Sequence, residues 1–363
     1  MIDEKKLEKI CSACGISSFE QEIGEILQRE FEELGLTCSR DGLGSVIAVK
    51  CEGQPGPKVM VAAHMDEVGF MVEEIDENGF LKLRPVGSWW SHMVLGQWYT
   101  VVTRGGRKYS ALMGSMATHG LADEVKKKTV SMEDIYLDLG VKDREGALSL
   151  GIASGDMVVP WSHFEIMNDP NYVSCKAFDD RIGNYIMTEV ARRLEGTEHV
   201  PLYLANTVQE EPGLRGARTA VESICPDLAF AIDTTLAGDT PMNHNICSLG
   251  GGVVLSMIDS NSIAPRKLVR YVETVCEKHH IACQYAVFNK GGTDSGNIHK
   301  AFAGVINMTL SIPIRYMHTN HSMIHLEDVE GCIRLLCELI KDMKEETFRE
   351  LLDYQEGSVC MGS

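Results

Sequence analysis

The sequence predicts an α/β protein in three layers, built on a mostly parallel mixed sheet and interrupted by a small inserted β-rich domain. Helical and strand-like periodicities alternate before residue 71 and again after Trp161, as is typical of a sheet covered by helices. Between these regions helical periodicity is nearly absent. The chain has 363 residues, more than one compact core usually contains. We therefore predict segments at 1–71, 72–159 and 160–363, of which the first and third form one layered domain.

The first segment predicts two helices and then two strands. Leu7 and Ile10 repeat at helical spacing, and a second helix with an apolar face ends at Gly35. Strand-like runs at 45–50 and 58–63 follow, separated by a loop rich in glycine and proline. The second of these runs leads directly into a histidine and an aspartate.

The inserted segment and the last segment differ in texture. The inserted one has short alternating stretches punctuated by glycines, which indicates β-structure. The last one alternates again and ends in residues 356–363, which we expect to form a loose tail. Its predicted helices are 180–194, 214–224, 265–279 and one from Glu327 onward, and its predicted strands are 201–208, 228–233, 284–288 and 304–308.

Composition excludes several classes of function. The net charge of −18 argues against non-specific nucleic-acid binding, which needs a basic surface, and is compatible with divalent cations and substrates carrying an amino group. No apolar stretch is long enough to span a membrane, and the N-terminus has no apolar signal core. The twelve cysteines are scattered and are expected to be reduced thiols. We expect a cytoplasmic protein with no nucleic-acid or membrane partner.

Acidic and histidine side chains follow the ends of the predicted strands. In open α/β sheets, binding sites gather at the carboxyl ends of strands. Imidazoles with carboxylates are the expected ligands of zinc, cobalt or manganese, and two ions about 3.5–4 Å apart need a bridging carboxylate. The candidate residues are His64, Asp66, Asp179, Glu210, Glu211, Asp233 and His318.

The adjacent acids Glu210 and Glu211 need different roles. Neighbours on a strand point to opposite sides, so one can bind an ion while the other acts as general base. Asp66, two residues beyond His64, is placed to hydrogen-bond that imidazole and fix its tautomer. An Asp-Asp pair before a helix is also typical of an N-cap, and a Glu-Glu pair of a solvated face. Spacing alone therefore leaves a metal site and a structural role both open.

Six short motifs occur along nearly the whole chain, at 62–70, 178–181, 210–217, 232–233, 292–294 and 313–318, and include Phe178-Asp179-Asp180-Arg181 and Glu210-Glu211-Pro212-Gly213. Through these motifs and their order the chain resembles the glutamyl aminopeptidase and tetrahedral (deblocking) aminopeptidase family of dinuclear metallopeptidases.

The resemblance implies an assignment for each candidate. It implies two divalent ions per subunit, zinc or cobalt first and manganese as an alternative. His64 and Asp233 would bind one ion, Glu211 and His318 the other, and Asp179 both.

The resemblance further implies a mechanism and an assembly. Glu210 would be the general base, Asp66 would orient His64, and the Asp179–Asp180 peptide would be cis. The substrates would be peptides with a free N-terminus. The insertion would be a β-barrel dimerisation domain, in a homo-oligomer that in relatives is often a dodecamer.

Two departures from the family pattern lie beside the predicted site. Pro212 follows the paired acids where the family has a small apolar residue, and residues 319–322 replace a Ser-Pro-x-Glu continuation after His318. Both bear on substrate choice. The alternatives are another paired-metal amidase or carboxypeptidase and a non-catalytic assembly protein that retains the fold. A glycosidase is weaker, because its carboxyls lie about 5–9.5 Å apart across a sugar and would come from different strands.

Overall fold

The computed structural model describes residues 2–114, 116–194, 200–241, 247–287 and 291–353. An eight-stranded mixed sheet forms its centre, and its middle strands are buried apolar runs. In spatial order the strands are β1 (Thr37–Arg40), β2 (Val46–Lys50), β12 (Leu202–Thr207), β3 (Val59–His64), β13 (Leu228–Leu236), β16 (Ile306–Ile314), β14 (Val253–Ile258) and β15 (Cys283–Val287).

Parallel pairing at the middle of the sheet aligns the strand ends that matter for function. Strands β12, β3, β13 and β16 are parallel neighbours. Strands β1 and β2 pair antiparallel on one side of them, and β14 pairs antiparallel with β16 on the other but parallel with β15. The carboxyl ends of the four middle strands therefore meet at one edge.

Helices cover both faces of the sheet. In β3, Val59, Val61 and Ala63 point into one hydrophobic core, whereas Met60 and Ala62 point into a second one on the other face. The first core is covered by α1 (Glu4–Ser12), α2 (Gln21–Glu33), α5 (Phe178–Arg193), α7 (Arg266–His279), α9 (Leu326–Asp342) and α10 (Glu345–Leu352), and the second by α6 (Arg215–Ile224) and α8 (Ser295–Ile298). The predicted three-layer α/β class is confirmed.

A closed barrel of six antiparallel strands forms the second unit. Around the barrel the strands are β4 (Gly69–Ile75), β5 (Leu81–Val86), β8 (Tyr136–Asp138), β7 (Lys108–Gly114), β6 (Trp98–Val102) and β9 (Met157–Pro160), with the short helices α3 (Asp123–Lys126) and α4 (Arg144–Ser149) between strands. The inserted barrel of the predicted fold class is thus confirmed. The boundaries at 72 and 159, and the role of the barrel in dimerisation, stay predictions.

Some elements differ from their predicted extent. Strand β16 continues through Pro313 to Ile314, beyond the predicted end at residue 308, because its polar residues find partners inside the fold. The Thr309 hydroxyl bonds those of Thr293 and Ser295, and the Ser311 hydroxyl bonds that of Ser256. A small sheet of β10 (Glu165–Ile166), β11 (Tyr172–Cys175) and β17 (Ser322–His325) was not predicted.

Two predictions fall partly or wholly outside the described residues. They concern Phe288, the last residue of a predicted strand, and the tail at 356–363. Within the described residues, no helix is both long and apolar enough to cross a membrane.

We predict that Gly183→Ala destabilises the protein, because α5 packs closely on β3 at this position. A Cβ there would lie 2.5 Å from Asp180 Oδ2 and 2.7 Å from Ala63 Cβ. Such overpacking costs about 1–3 kcal/mol of unfolding free energy, measurable by denaturant unfolding.

The control for this prediction is Gly331→Ala in α9, where the nearest atom is 3.5 Å away. That change should stabilise the protein by up to about 1 kcal/mol through helix propensity. Equal unfolding free energies for the two variants would contradict the close packing of α5 on β3.

Candidate metal centre

The topology brings the five predicted metal ligands together at the carboxyl edge of the sheet. His64 ends β3, Glu211 follows β12, Asp233 lies in β13, His318 follows β16, and Asp179 lies at the start of α5. The peptide between Asp179 and Asp180 is cis, as the resemblance implies, and both residues have non-helical backbone angles.

Asp179 is shared between two sets of possible ligand atoms. Its Oδ1 lies 3.4 Å from Nε2 of His64, and its Oδ2 lies 3.2 Å from Nε2 of His318. With Asp233 on one side and Glu211 on the other, the atoms form two groups, each within 4.8 Å. The two groups have the membership that the resemblance implies.

Glu210 belongs to neither group but faces the same space. Its Oε2 lies 3.9 Å from Nε2 of His64, and its side chain lines the cavity above the site. Burial, followed by the neighbouring acids Asp233 and Glu211, raises the pKa of Glu210 well above its usual range. A carboxyl in this position faces the space shared by both groups, which is the geometric requirement of a general base acting there.

Asp66 holds the site together in a way that its spacing from His64 did not suggest. Nδ1 of His64 bonds the backbone oxygen of Asp66 at 3.0 Å, and the carboxylate lies farther away, at 3.5 Å. The carboxylate instead accepts the backbone N–H groups of Glu210 (2.9 Å) and Glu211 (3.2 Å) and the hydroxyl of Ser17 (2.6 Å). Asp66 thereby links the end of β3 to both glutamates.

The electrostatics of the site fit bound cations. Burial is the main cause that raises the pKa of Asp233 well above its usual range and that of Glu211 to about 7. Oε1 of Glu211 and Oδ1 of Asp294 are buried without a hydrogen-bond donor among the described residues. Burying several carboxylates with so few donors is unfavourable unless positive charge compensates. Two imidazoles and three carboxylates around a shared oxygen donor suit two divalent ions.

A cavity of about 450 Å³ opens over the two groups. Among the described residues, neither lysine nor arginine lines it. Arg215 instead donates to Gln209, and Arg315 makes two bonds to Asp239. Beyond the predicted ligands and Glu210, the walls combine neutral polar residues with apolar ones and one further acid: Thr234, Thr235, Ser256, Asn261, Thr293 and Ser311, then Leu214, Leu236 and Met317, and Asp259.

Sequence analysis missed a buried charge cluster behind the site. Nζ of Lys176 donates to both carboxylate oxygens of Glu67, at 2.6 and 2.7 Å, and to the carbonyl of Ala13. Arg181 donates to four backbone carbonyls, including those of Ala13 and Met65. Glu67 and Arg181 lie within the motifs of the resemblance, three and two residues from a predicted ligand, which was the available signal.

Comparison with known proteins places the chain in a family. Residues 44–335 match the family described as M42 glutamyl aminopeptidase. The lysyl aminopeptidase of Pyrococcus furiosus is 33% identical, over 96% of this chain and 99% of that protein.

Solved structures agree with this placement. The TET aminopeptidase from a marine sediment archaeon, Thaumarchaeota archaeon SCGC AB-539-E09, is 35% identical and superimposes with a TM-score of 0.92, over 96% of this chain and 98% of that one. Pyrococcus horikoshii TET1 peptidase, described as able to assemble into a tetrahedron or a large octahedral shell, is 31% identical with a TM-score of 0.83, over 93% and 98% of the two chains. This chain therefore belongs to the M42 glutamyl aminopeptidase family and is an aminopeptidase, a hydrolase of peptide bonds.

Proposed function

We propose that this aminopeptidase works with two divalent metal ions, zinc or cobalt in the first place and manganese as an alternative. The observation that carries the proposal is the position of Asp179, whose two oxygens face His64 and His318. One ion would be held by His64, Asp233 and Asp179, and the other by Glu211, His318 and Asp179. When bound, such a pair lowers the pKa of a water and polarises a carbonyl group.

The residues around the two proposed ion positions transfer the proton and orient the ligands. Glu210 accepts a proton from the attacking water and returns it to the leaving amine, since its carboxyl faces the cavity and its pKa is raised. The backbone oxygen of Asp66 holds the proton on Nδ1 of His64, which leaves Nε2 free to bind an ion. The carboxylate of Asp66 fixes the backbone on which Glu210 and Glu211 depend.

The substrates we propose are peptides with a free N-terminus. Carboxypeptidase action would need a cation in the cavity to bind the substrate carboxylate. Three basic residues lie close to site residues in the sequence: Arg215 and Arg315 are engaged by other side chains, and Lys290 lies outside the described residues. A negatively charged cavity without a lining cation among the described residues suits an ammonium group better than a carboxylate.

We also propose that the chain assembles into a homo-oligomer through its barrel, dimer-based and with a dodecamer as a candidate. Trp98 and Leu112 face each other across β6 and β7 and are 50% and 39% exposed. Trp161, whose backbone N–H donates a hydrogen bond to the carbonyl of Trp98, is 41% exposed. Aromatic residues of this kind are enriched at interfaces. A cytoplasmic location is proposed as well, because the described cysteines other than Cys51 are reduced thiols.

The first test compares one peptide in three forms: unblocked, acetylated at the N-terminus and amidated at the C-terminus. With zinc or cobalt added, mass spectrometry should detect release of the N-terminal residue from the unblocked and amidated forms only. Release from the acetylated form would contradict a requirement for a free N-terminus, and loss of activity on the amidated form would instead indicate recognition of the substrate carboxylate.

The second test separates the two adjacent glutamates. Glu210→Gln should lower kcat about 10²–10⁴-fold and still retain two ions per subunit by elemental analysis, because it removes a proton acceptor but no ligand. Glu211→Gln is the matched comparison and should weaken binding of one ion. An unchanged kcat in Glu210→Gln would exclude it as general base.

A further inference from the structure

His318 lies in a loop whose backbone needs external support. The loop covers residues 315–321, between β16 and β17, and both Tyr316 (φ 61°) and His318 (φ 56°) adopt the left-handed conformation. A non-glycine residue pays for this conformation in free energy, so such residues persist where surrounding contacts hold them. The contacts of this loop therefore decide where the His318 imidazole lies.

The two ends of the loop are fastened to the layered domain. Arg315 donates to both carboxylate oxygens of Asp239, at 2.8 and 2.7 Å, and exchanges two backbone hydrogen bonds with Met323. Ser322 donates its hydroxyl to the carbonyl of Cys175 at 2.8 Å. These contacts fix where the loop leaves and rejoins the sheets, but they lie three or more residues from His318.

The middle of the loop is fastened to the barrel by one side chain. Asn320 is 1% exposed and makes two hydrogen bonds to β6. Its Oδ1 accepts the hydroxyl of Tyr99 at 3.0 Å, and its Nδ2 donates to the carbonyl of Trp98 at 2.8 Å. A carboxamide supplies this acceptor and this donor together, whereas aspartate lacks the donor and leucine lacks both.

The barrel also lies directly beside the group of candidate ligands formed by Asp179, Glu211 and His318. Ser88, which follows β5 of the barrel, lines the same cavity as His318 and Glu211. At the preceding residue, Gly87, a Cβ would lie 3.0 Å from Oε2 of Glu211. His64 and Asp233, in contrast, are residues of β3 and β13 inside the central sheet. The group around His318 is therefore built at the junction of barrel and sheet, and the group around His64 mainly on the sheet.

We propose that Asn320 is a positioning residue that holds the His318 loop against the barrel. Binding of the ion at Glu211 and His318 then depends on the barrel, whereas binding of the ion at His64 and Asp233 does not. The inference rests on the proposed two-ion function.

The test measures the affinity of each ion in variants of the full-length protein. Asn320→Leu removes both hydrogen bonds, and Tyr99→Phe removes one of them from the barrel side without touching the loop. Tyr185→Phe is the matched control, because it removes an equally buried phenol whose oxygen accepts the N–H of Asp3, far along the chain from this loop. Zn²⁺ binding is followed by competition with a chelator, and thermal unfolding of each variant is recorded.

We expect Asn320→Leu to lower the binding affinity for one of the two ions about 10- to 100-fold, as the loss of a residue supporting a ligand does. Tyr99→Phe should weaken the same ion by about 3- to 10-fold, the effect of one hydrogen bond. In a His318→Ala background, Asn320→Leu should change the affinity of the remaining ion by less than about 2-fold. Tyr185→Phe should leave both affinities unchanged.

Several results would overturn the inference. Equal weakening of both ions, or an effect that persists in the His318→Ala background, would mean that Asn320 acts only on general stability. Unchanged affinities in Asn320→Leu, or in Tyr99→Phe if the leucine variant does not fold, would mean that the hydrogen bonds of Asn320 to the barrel do not position His318. Wild-type protein that binds fewer than two ions would refute the proposed function itself, and this inference with it.

Discussion

The architecture of the site depends on one carboxylate. Asp179 lies between the imidazole of His64, at the end of a strand, and that of His318, in a loop, and its oxygens are 3.4 and 3.2 Å from their Nε2 atoms. The strands that supply His64 and Asp233 are neighbours in the sheet, whereas His318 comes from a loop and Glu211 from beyond the end of β12. Without a shared acid these would be two unrelated pairs of candidate ligands. Placing Asp179 correctly is therefore the requirement that the surrounding structure has to meet.

The buried charges behind Asp179 meet that requirement. Arg181, two residues along α5, is fully buried and donates to the carbonyls of Ile10 and Met65 among others. Glu67 binds Lys176 just before α5, so the start of this helix is fastened on both sides to the end of β3. A buried ion pair of this kind contributes little net stability, but breaking it leaves an uncompensated charge. Its value here is in fixing one arrangement of the helix start relative to the strand end.

Much of the fold and of the candidate site was predictable from the sequence, because local sequence patterns indicate both the strands and the residues at their ends. Apolar runs that end in His64, Glu210 or Asp233 mark strands whose ends meet when the strands are parallel. The contacts that refine the site are long-range and leave no such pattern. Asn320 meets Tyr99 across 221 positions, and Lys176 meets Glu67 across 109. Spacing predicted the Asp66 carboxylate beside His64, where it lies 3.5 Å from Nδ1, but it gave no sign that the carboxylate also accepts backbone N–H groups 144 and 145 positions away.

The most direct test of the account is a crystal structure of the protein loaded with Zn²⁺, with ions located by anomalous scattering at the zinc edge. The account predicts two ions per subunit, about 3.5–4 Å apart, each bonded to a different oxygen of Asp179. One of them would also contact His64 and Asp233, and the other Glu211 and His318. A single ion, or two ions of which one does not touch Asp179, would contradict it.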